Sequence, residues 1–421
     1  MDTKTFNCES NTKKLTNRIR YSLYRIIGLP AEENVTIELL KQLDWLVRLL
    51  WFDSRKPTQS MIINNLFRLV SVLLIVRLAS VLLFGAADNQ VILSDPIIDI
   101  ADHDSILFTQ LILLITMILA REYILNCEIK GNYKAVYKYL VIDADSYSPG
   151  YFKMSIKKFG RFKIYFHILI YNCLRANVFI AILLPTLVVI IKVRYYQLFT
   201  TIPLIVSSCL WSIAEWGVYS ISFCGLCVRG IHLILSRFIL RFQMDSLIET
   251  IGSYLALNKN SYSMKKVNQM TWKWQNEIDL LGIETKYISL VFFVYCSFSA
   301  DLLIFLGLII NIISEAVAFV LALAGILLLI MLTLGLYLAA DLHTMGIKLY
   351  VDLASLLARS RIRIDEKLKM MEMMNRIDHP SNGVAVGDFF IIRKETCPYF
   401  LMENASMIML LTCNLASFIG I

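Results

Sequence analysis

Apolar residues along this 421-residue chain gather into seven runs, each long enough to cross a bilayer as a helix at ~1.5 Å per residue. They lie at about Met61 to Phe84, Ser105 to Leu125, within Tyr165 to Ile191, Leu198 to Val228, Tyr287 to Ile313, Ala316 to Ala340 and Tyr399 to Ile421. Ahead of them, Ile37 to Trp51 has helical apolar spacing, with Leu39, Leu40, Leu43, Leu46, Leu49 and Leu50 clustering. It is too charged to span, so it predicts an interfacial or cytoplasmic lead-in helix.

Two connections keep the helical rhythm after charges appear. The fourth span runs on through Gly230 to Tyr254. Lys259 to Lys266 reads as a polar, flexible break, and Val267 to Lys286 resumes as a helix into the fifth span. After the sixth span, Met345 to Ile377 is amphipathic, with Leu353, Leu356 and Leu357, then Ile364, Leu368 and Met371. Asp365 and Lys369 stand at pairing distance along it, and His379-Pro-Ser-Asn-Gly383 ends it. These helices bury their apolar faces on one another, on neighbouring subunits, or on the inner leaflet. The fold class is therefore all-α, a polytopic membrane protein of seven transmembrane helices with cytoplasmic helical extensions. Residues 1–60 form a cytoplasmic N-terminal region. Residues 61–341 hold spans 1 to 6, with the extension at about 229–286. Residues 342–398 form cytoplasmic anchor helices and a loop, and 399–421 the last span.

Composition agrees with that pattern. Aliphatic, aromatic and Cys residues make up 57% of the chain and charged residues 18%, which excludes an ordinary soluble domain. The first 30 residues are polar and basic with no apolar core, so no signal peptide is expected and the first span directs insertion.

Charge gives the direction. Of 41 Lys and Arg, ten precede span 1, nine lie between the inner ends of spans 2 and 3 (Arg121 included), eight between spans 4 and 5, and nine between spans 6 and 7. Gly85 to Asp104 has none and carries Asp88, Asp95, Asp99, Asp102 and Asp104; the turn between spans 3 and 4 has Lys192 and Arg194, and the turn between spans 5 and 6 has none. The asymmetry puts the N-terminus in the cytoplasm and the C-terminus outside. The net charge of +8 belongs to loops facing the cytoplasm, so no nucleic-acid partner is expected. G-protein-coupled receptors run the other way; Arg121-Glu122-Tyr123 ends the second span, and no Asn-Pro-x-x-Tyr is present in the seventh.

Candidate chemistry is sparse. Most of the nine Cys lie in apolar runs, and Cys224 and Cys227 read as small packing residues one turn apart. The five His are scattered. No metal site, cofactor or catalytic constellation is expected, so the chain is not read as an enzyme.

The last span has one narrow polar stripe. Glu403, Ser406, Leu410, Asn414 and Ser417 lie within about 80° of each other at ~100° per residue. From inside to outside this reads as a carboxylate at the cytoplasmic mouth, a Ser, a Leu able to close by dewetting, then Asn and Ser in the outer vestibule. The alternative has Glu403 capping the helix start, with Asn414 and Ser417 bonding to neighbouring helices. A second set of polar and aromatic residues sits at membrane depth: Arg77, Gln110, Trp211, Glu215, Tyr219 and Asp301, with 211, 215 and 219 on one face. Aromatic walls with a few polar groups make a small-molecule pocket. The alternative pairs Arg77 with Glu215 or Asp301 to neutralise buried charge, the aromatics being packing. Arg175 reads as a structural charge near the cytoplasmic water.

About 400 residues, seven spans, an inside N-terminus, helices reaching into the cytoplasm between spans 4–5 and 6–7, and Gly387-Asp388-Phe389-Phe390-Ile391-Ile392-Arg393 ahead of the last span occur together. In this the chain resembles the insect gustatory receptors, within the insect chemoreceptor superfamily that also contains the odorant receptors. Gustatory receptors usually end the last helix with Thr-Tyr, five apolar residues, then Gln-Phe. Aligned on Phe418, Ser417 stands at the Gln and Leu410-Leu411 at the Thr-Tyr. Anchored instead on Phe389-Phe390 and Arg393, Ala405-Ser406 and Thr412-Cys413 fill those places. The likeness is to a divergent, gustatory-receptor-like member.

The resemblance implies a homo- or heterotetrameric, ligand-gated, non-selective cation channel in the plasma membrane, gated by a small-molecule taste ligand. It implies that the last helix of each subunit lines a central pore, that the cytoplasmic helices anchor the subunits to one another, and that a ligand pocket opens outward among spans 2 to 6. The alternative is a channel-inactive or obligate-partner protein of the same fold, with a scaffold or lipid-associated role. Membrane lipid is a partner in either case.

Overall fold

The computed structural model describes residues 28–29, 32–50, 57–85, 93, 103–131, 136, 147–195, 201–257, 261–309, 315–359, 363–379 and 383–419. Most of the acidic stretch 85–104 and the turns at 196–200 and 310–314 lie outside these residues, as do the side chains of Lys192, Arg194, Asn414 and Ser417.

The helices are α1 Glu33–Leu50, α2 Pro57–Phe84, α3 His103–Ile129, α4 Ile156–Tyr195, α5 Ile202–Leu257, α6 Ser261–Ile304, α7 Glu315–Arg359, α8 Ile364–Asp378 and α9 Thr396–Ile419. A π-helical turn, Phe305–Ile309, continues α6. The protein is an all-α membrane fold. Among the described residues, five helices are long and apolar enough to cross a bilayer: α2, α3, α5, α6 and α7. α4 and α9 cover the third and seventh runs.

α5 is the axis of the fold. Its 56 residues make a rod of roughly 84 Å at ~1.5 Å per residue, against a hydrocarbon core of ~30 Å. From Ser222 to Ile248 nearly every residue is buried. The helix therefore leaves the membrane wrapped by its neighbours, as the unbroken periodicity through Tyr254 anticipates. On its α4 side, Phe162, Phe166, Phe238 and Phe242 interleave, with centroids 4.7 Å apart for Phe162–Phe166 and 4.9 Å for Phe238–Phe242.

α1 packs Ile37, Leu40, Leu43 and Val47 against α4 and α5. It is docked on the protein rather than lying free on the leaflet. His167 of α4 holds it, sitting 2.8 Å from Thr36 Oγ1 and 2.7 Å from the Gly28 carbonyl.

Two expectations need correction and a third is narrowed. The break before span 5 is shorter than the polar composition implies, because helix resumes at Ser261. The face read for the last cytoplasmic helix is not the one that packs within the chain. Ile364, Leu368 and Met371 are exposed, while Met370, Met373, Met374 and Ile377 are buried against α6 and α7. This Met-rich helix is apolar on both sides, and Asn268, which donates a 2.7 Å hydrogen bond to Glu366, and the 2.6 Å Arg376–Asp279 ion pair choose between them. Asp365 pairs with Arg363 at 2.7 Å, not with Lys369.

Below the bundle, β1 (Ala385–Val386) and β2 (Phe390–Ile391) form a small antiparallel hairpin in register Ala385↔Ile391 and Val386↔Phe390. Its turn passes through Gly387 at φ +57°, a conformation that only glycine takes without cost. The Gly387 N–H donates to the Lys286 carbonyl at 2.8 Å. Asp388 accepts from Lys286 Nζ and from Tyr287 Oη, both at 2.7 Å. The hairpin is thus pinned to α6 and leads within a few residues into α9.

Candidate functional site

α9 presents two faces. Phe400, Asn404 and Leu411 are buried, with Met407 partly so, at a spacing that keeps one side of the helix on the bundle. Phe400 meets Phe293 at 5.0 Å, and Ser297 Oγ donates to Asn404 Oδ1 at 2.8 Å. Leu411 joins Leu302, Phe305 and Leu306 at the π-helical turn. The stripe of Glu403, Ser406 and Leu410 lies about 90° round the helix from this face and is exposed, Leu410 by 56%. Ser406 Oγ donates to the Met402 carbonyl at 2.9 Å, satisfying itself within the helix. Glu403 stands in the second turn, past the helix start at Thr396, so it is not the first-turn cap. The side chains of Asn414 and Ser417 lie outside the described residues; their backbone is helical.

The π-helical turn brings α6 and α7 together. A Cβ on Gly307 would come within 2.4 Å of the Ala318 carbonyl oxygen, and one on Gly325 within 2.7 Å of the Ala300 carbonyl oxygen. Glycine at both positions lets the backbones touch.

Among the six ligand-pocket candidates, Glu215 and Trp211 meet Arg77. Arg77 is buried and its Nη1 lies 2.6 Å from Glu215 Oε1. Its Nε donates to the Leu93 carbonyl at 2.6 Å, and its guanidinium lies 5.2 Å from the centre of the Trp211 ring. One turn along α5, Tyr219 Oη donates to the backbone carbonyl of Gln110 at 3.3 Å. Arg77 therefore pairs with Glu215, and both Glu215 and Arg77 are satisfied at membrane depth. Asp301 is buried on α6 with Oδ1 accepting no hydrogen bond among the described residues. Arg175 stacks on Tyr171 at 4.5 Å.

Sequence reading missed three features. Arg229, fully buried where α5 leaves the apolar run, pairs with Glu128 of α3 at 2.7 Å. Arg121 donates to Asn64 and Glu122, and Glu122 also holds Arg68 at 2.6 Å. The third is a cavity of about 90 Å³ between α4, α5, α6 and α7, at the end of the bundle nearest the hairpin. None of the six pocket candidates lines it. A charge in an apolar run flags the first two; nothing local flags the third.

No family sequence model matches the chain, and no curated protein sequence does. Solved structures do match. The insect olfactory receptor OR5 from Machilis hrabei aligns with a TM-score of 0.63 at 12% identity, over 89% of this chain and 97% of that one. Its complex with eugenol aligns with a TM-score of 0.64 at 12% identity, over 90% and 98%. The chain thus shares the fold of that insect olfactory receptor.

Proposed function

We propose that this protein is a chemosensory receptor acting as a ligand-gated, non-selective cation channel, assembled as a homo- or heterotetramer in the plasma membrane and opened by a small-molecule taste ligand. The observation that carries this reading is the exposed stripe of Glu403, Ser406 and Leu410 on a terminal helix whose adjacent face is docked on α6. A polar stripe in lipid is costly, and copies of the helix around an axis remove it from lipid. Glu403 at the inner mouth then concentrates cations, Leu410 closes the path by dewetting, and Asn414 and Ser417 continue it outward.

The ligand pocket of this reading lies around Arg77, Gln110, Trp211, Glu215, Tyr219 and Asp301. Two aromatic rings, a neutralised ion pair and one carboxylate with an open acceptor suit a small molecule with an aromatic or aliphatic body and a polar group. The eugenol held by the neighbouring structure is a ligand of that size class. The exposed Ile364, Leu368 and Met371 of α8 suit the contact between subunits below the membrane.

Voltage clamp of cells expressing the full chain tests the reading. A ligand-evoked cation current is expected, and Glu403→Lys lowers its conductance or shifts its cation-over-anion selectivity. Permeation unchanged by that reversal removes Glu403 from the mouth. The second reading, a channel-inactive or partner-requiring protein of the same fold, is favoured by Ser417 or Thr412 standing where Gln is expected before the final Phe. A monomeric particle in detergent, with no current, supports it; a four-fold particle with a central axis supports the channel.

A further inference from the structure

The cavity between α4, α5, α6 and α7 is separate from both the terminal helix and the Arg77 cluster. Its volume is about 90 Å³ and its wall is almost wholly apolar. Two of its wall positions are glycines on different helices. A Cβ added to Gly335 would meet Ile234 at 3.6 Å, and one added to Gly230 would meet Phe292 at 3.4 Å. At Gly335 a side chain would make ordinary contact rather than a clash, so backbone crowding does not exclude one there. A wall of this character favours an apolar guest.

At one end the wall is polar. Arg237 Nη2 donates to Ser289 Oγ at 2.7 Å, so that end is already hydrogen-bonded and does not call for a charged guest. The lining also includes Val386 and Ile392, one from each arm of the hairpin. Both are buried; Ile392 N–H donates to the Val384 carbonyl at 2.9 Å between the hairpin's own arms, and Gly387 N–H to the Lys286 carbonyl at 2.8 Å fastens it to α6. The same hairpin runs into α9 at Thr396.

We propose that this cavity is a binding site for a small, uncharged, hydrocarbon-like molecule, no larger than about one six-membered ring, and that its occupancy tightens the hairpin at the root of α9. A guest contacts Val386 and Ile392 directly and adds dispersion contacts that hold the hairpin against α6. The site stands whether or not the protein conducts ions, so its test is a binding test.

The probe is benzene, applied to the full chain in lipid nanodiscs, with 1,3,5-triisopropylbenzene as a more lipophilic comparator too large for the cavity. Benzene is expected to raise the melting temperature by about 2 °C or more and to slow hydrogen exchange at the amides of Gly387 and Ile392. The bulky comparator leaves both unchanged, and Gly335→Leu, which fills the cavity, abolishes the benzene effect. A benzene effect of equal size in Gly335→Leu, or none in the wild-type protein, overturns the proposal. If Gly335→Leu does not fold, Leu336→Ala decides. That variant enlarges the cavity, so naphthalene should stabilise it and not the wild-type protein; equal responses to naphthalene overturn the proposal.

Discussion

Ser297 Oγ donates a 2.8 Å hydrogen bond to Asn404 Oδ1, joining α6 to the terminal helix. Asn404 is 3% exposed, and its Nδ2 donates back to the Phe400 carbonyl at 2.7 Å. This is the polar tie on a contact that is otherwise aromatic and aliphatic. Removing either partner leaves the other short of a bond in a part-buried contact, at a cost of about 1 kcal/mol. Ser297→Ala and Asn404→Leu are each expected to lower the melting temperature of the purified protein. The double variant should lose less than the sum of the two, because one bond is being removed twice. Additive losses would show that the two side chains act independently.

The Arg77–Glu215 pair predicts a larger effect. Both side chains are buried at membrane depth, so removing one breaks a buried ion pair, at a cost of about 3–5 kcal/mol. Glu215→Gln and Arg77→Met should each sharply reduce folded protein recovered by size-exclusion chromatography. The double variant Arg77→Met with Glu215→Gln should recover part of the loss. Failure of the double variant to exceed either single one would mean that Glu215 is not the main partner of Arg77.

Gly307 predicts a steric effect. Gly307→Ala puts a methyl within 2.4 Å of the Ala318 carbonyl oxygen and 2.5 Å of the Ala322 nitrogen, both backbone atoms that cannot swing aside. Overpacking of this kind costs about 1–3 kcal/mol or more. Gly335→Ala, where the new methyl makes ordinary contact, should be nearly neutral in the same thermal melt. Equal losses in the two variants would remove backbone crowding as the reason for Gly307.

The hairpin carries a pH expectation. The side-chain hydrogen bond from Lys286, with a second from Tyr287, holds the Asp388 carboxyl below its usual range. A carboxyl depressed in the folded state stabilises above its unfolded value of ~3.9, and that contribution is lost as pH falls through the folded value. Hydrogen exchange at Gly387 should therefore be constant, after correction for intrinsic rate, from about pH 8 to 5 and rise only below ~4. Asp388→Asn should flatten that acid limb.

Part of the site was readable in the chain. The polar stripe on the last span follows from spacing alone, and the exposed positions 403, 406 and 410 lie where that spacing puts them. Arg77 and Glu215 stand out because charges in apolar runs are rare. Their pairing across 138 residues was one of two options on paper. Asp301, the other option, has an Oδ1 that accepts no hydrogen bond among the described residues.

What the sequence determined by itself is local: which stretches are apolar helices, which loops are basic, where α8 stops at His379, and that α5 continues past its apolar run without a break. These rest on periodicity, charge and helix-breaking residues, which act over a few positions. Tertiary structure decided which side of Met-rich α8 is buried, how Gly387 and Asp388 clamp the hairpin to α6, where Gly307 lets α6 touch α7, and that Gly230 and Gly335 border one cavity. Each depends on surfaces brought together from distant parts of the chain, where shape and unpaired hydrogen-bonding groups select the partner and no local pattern records the choice.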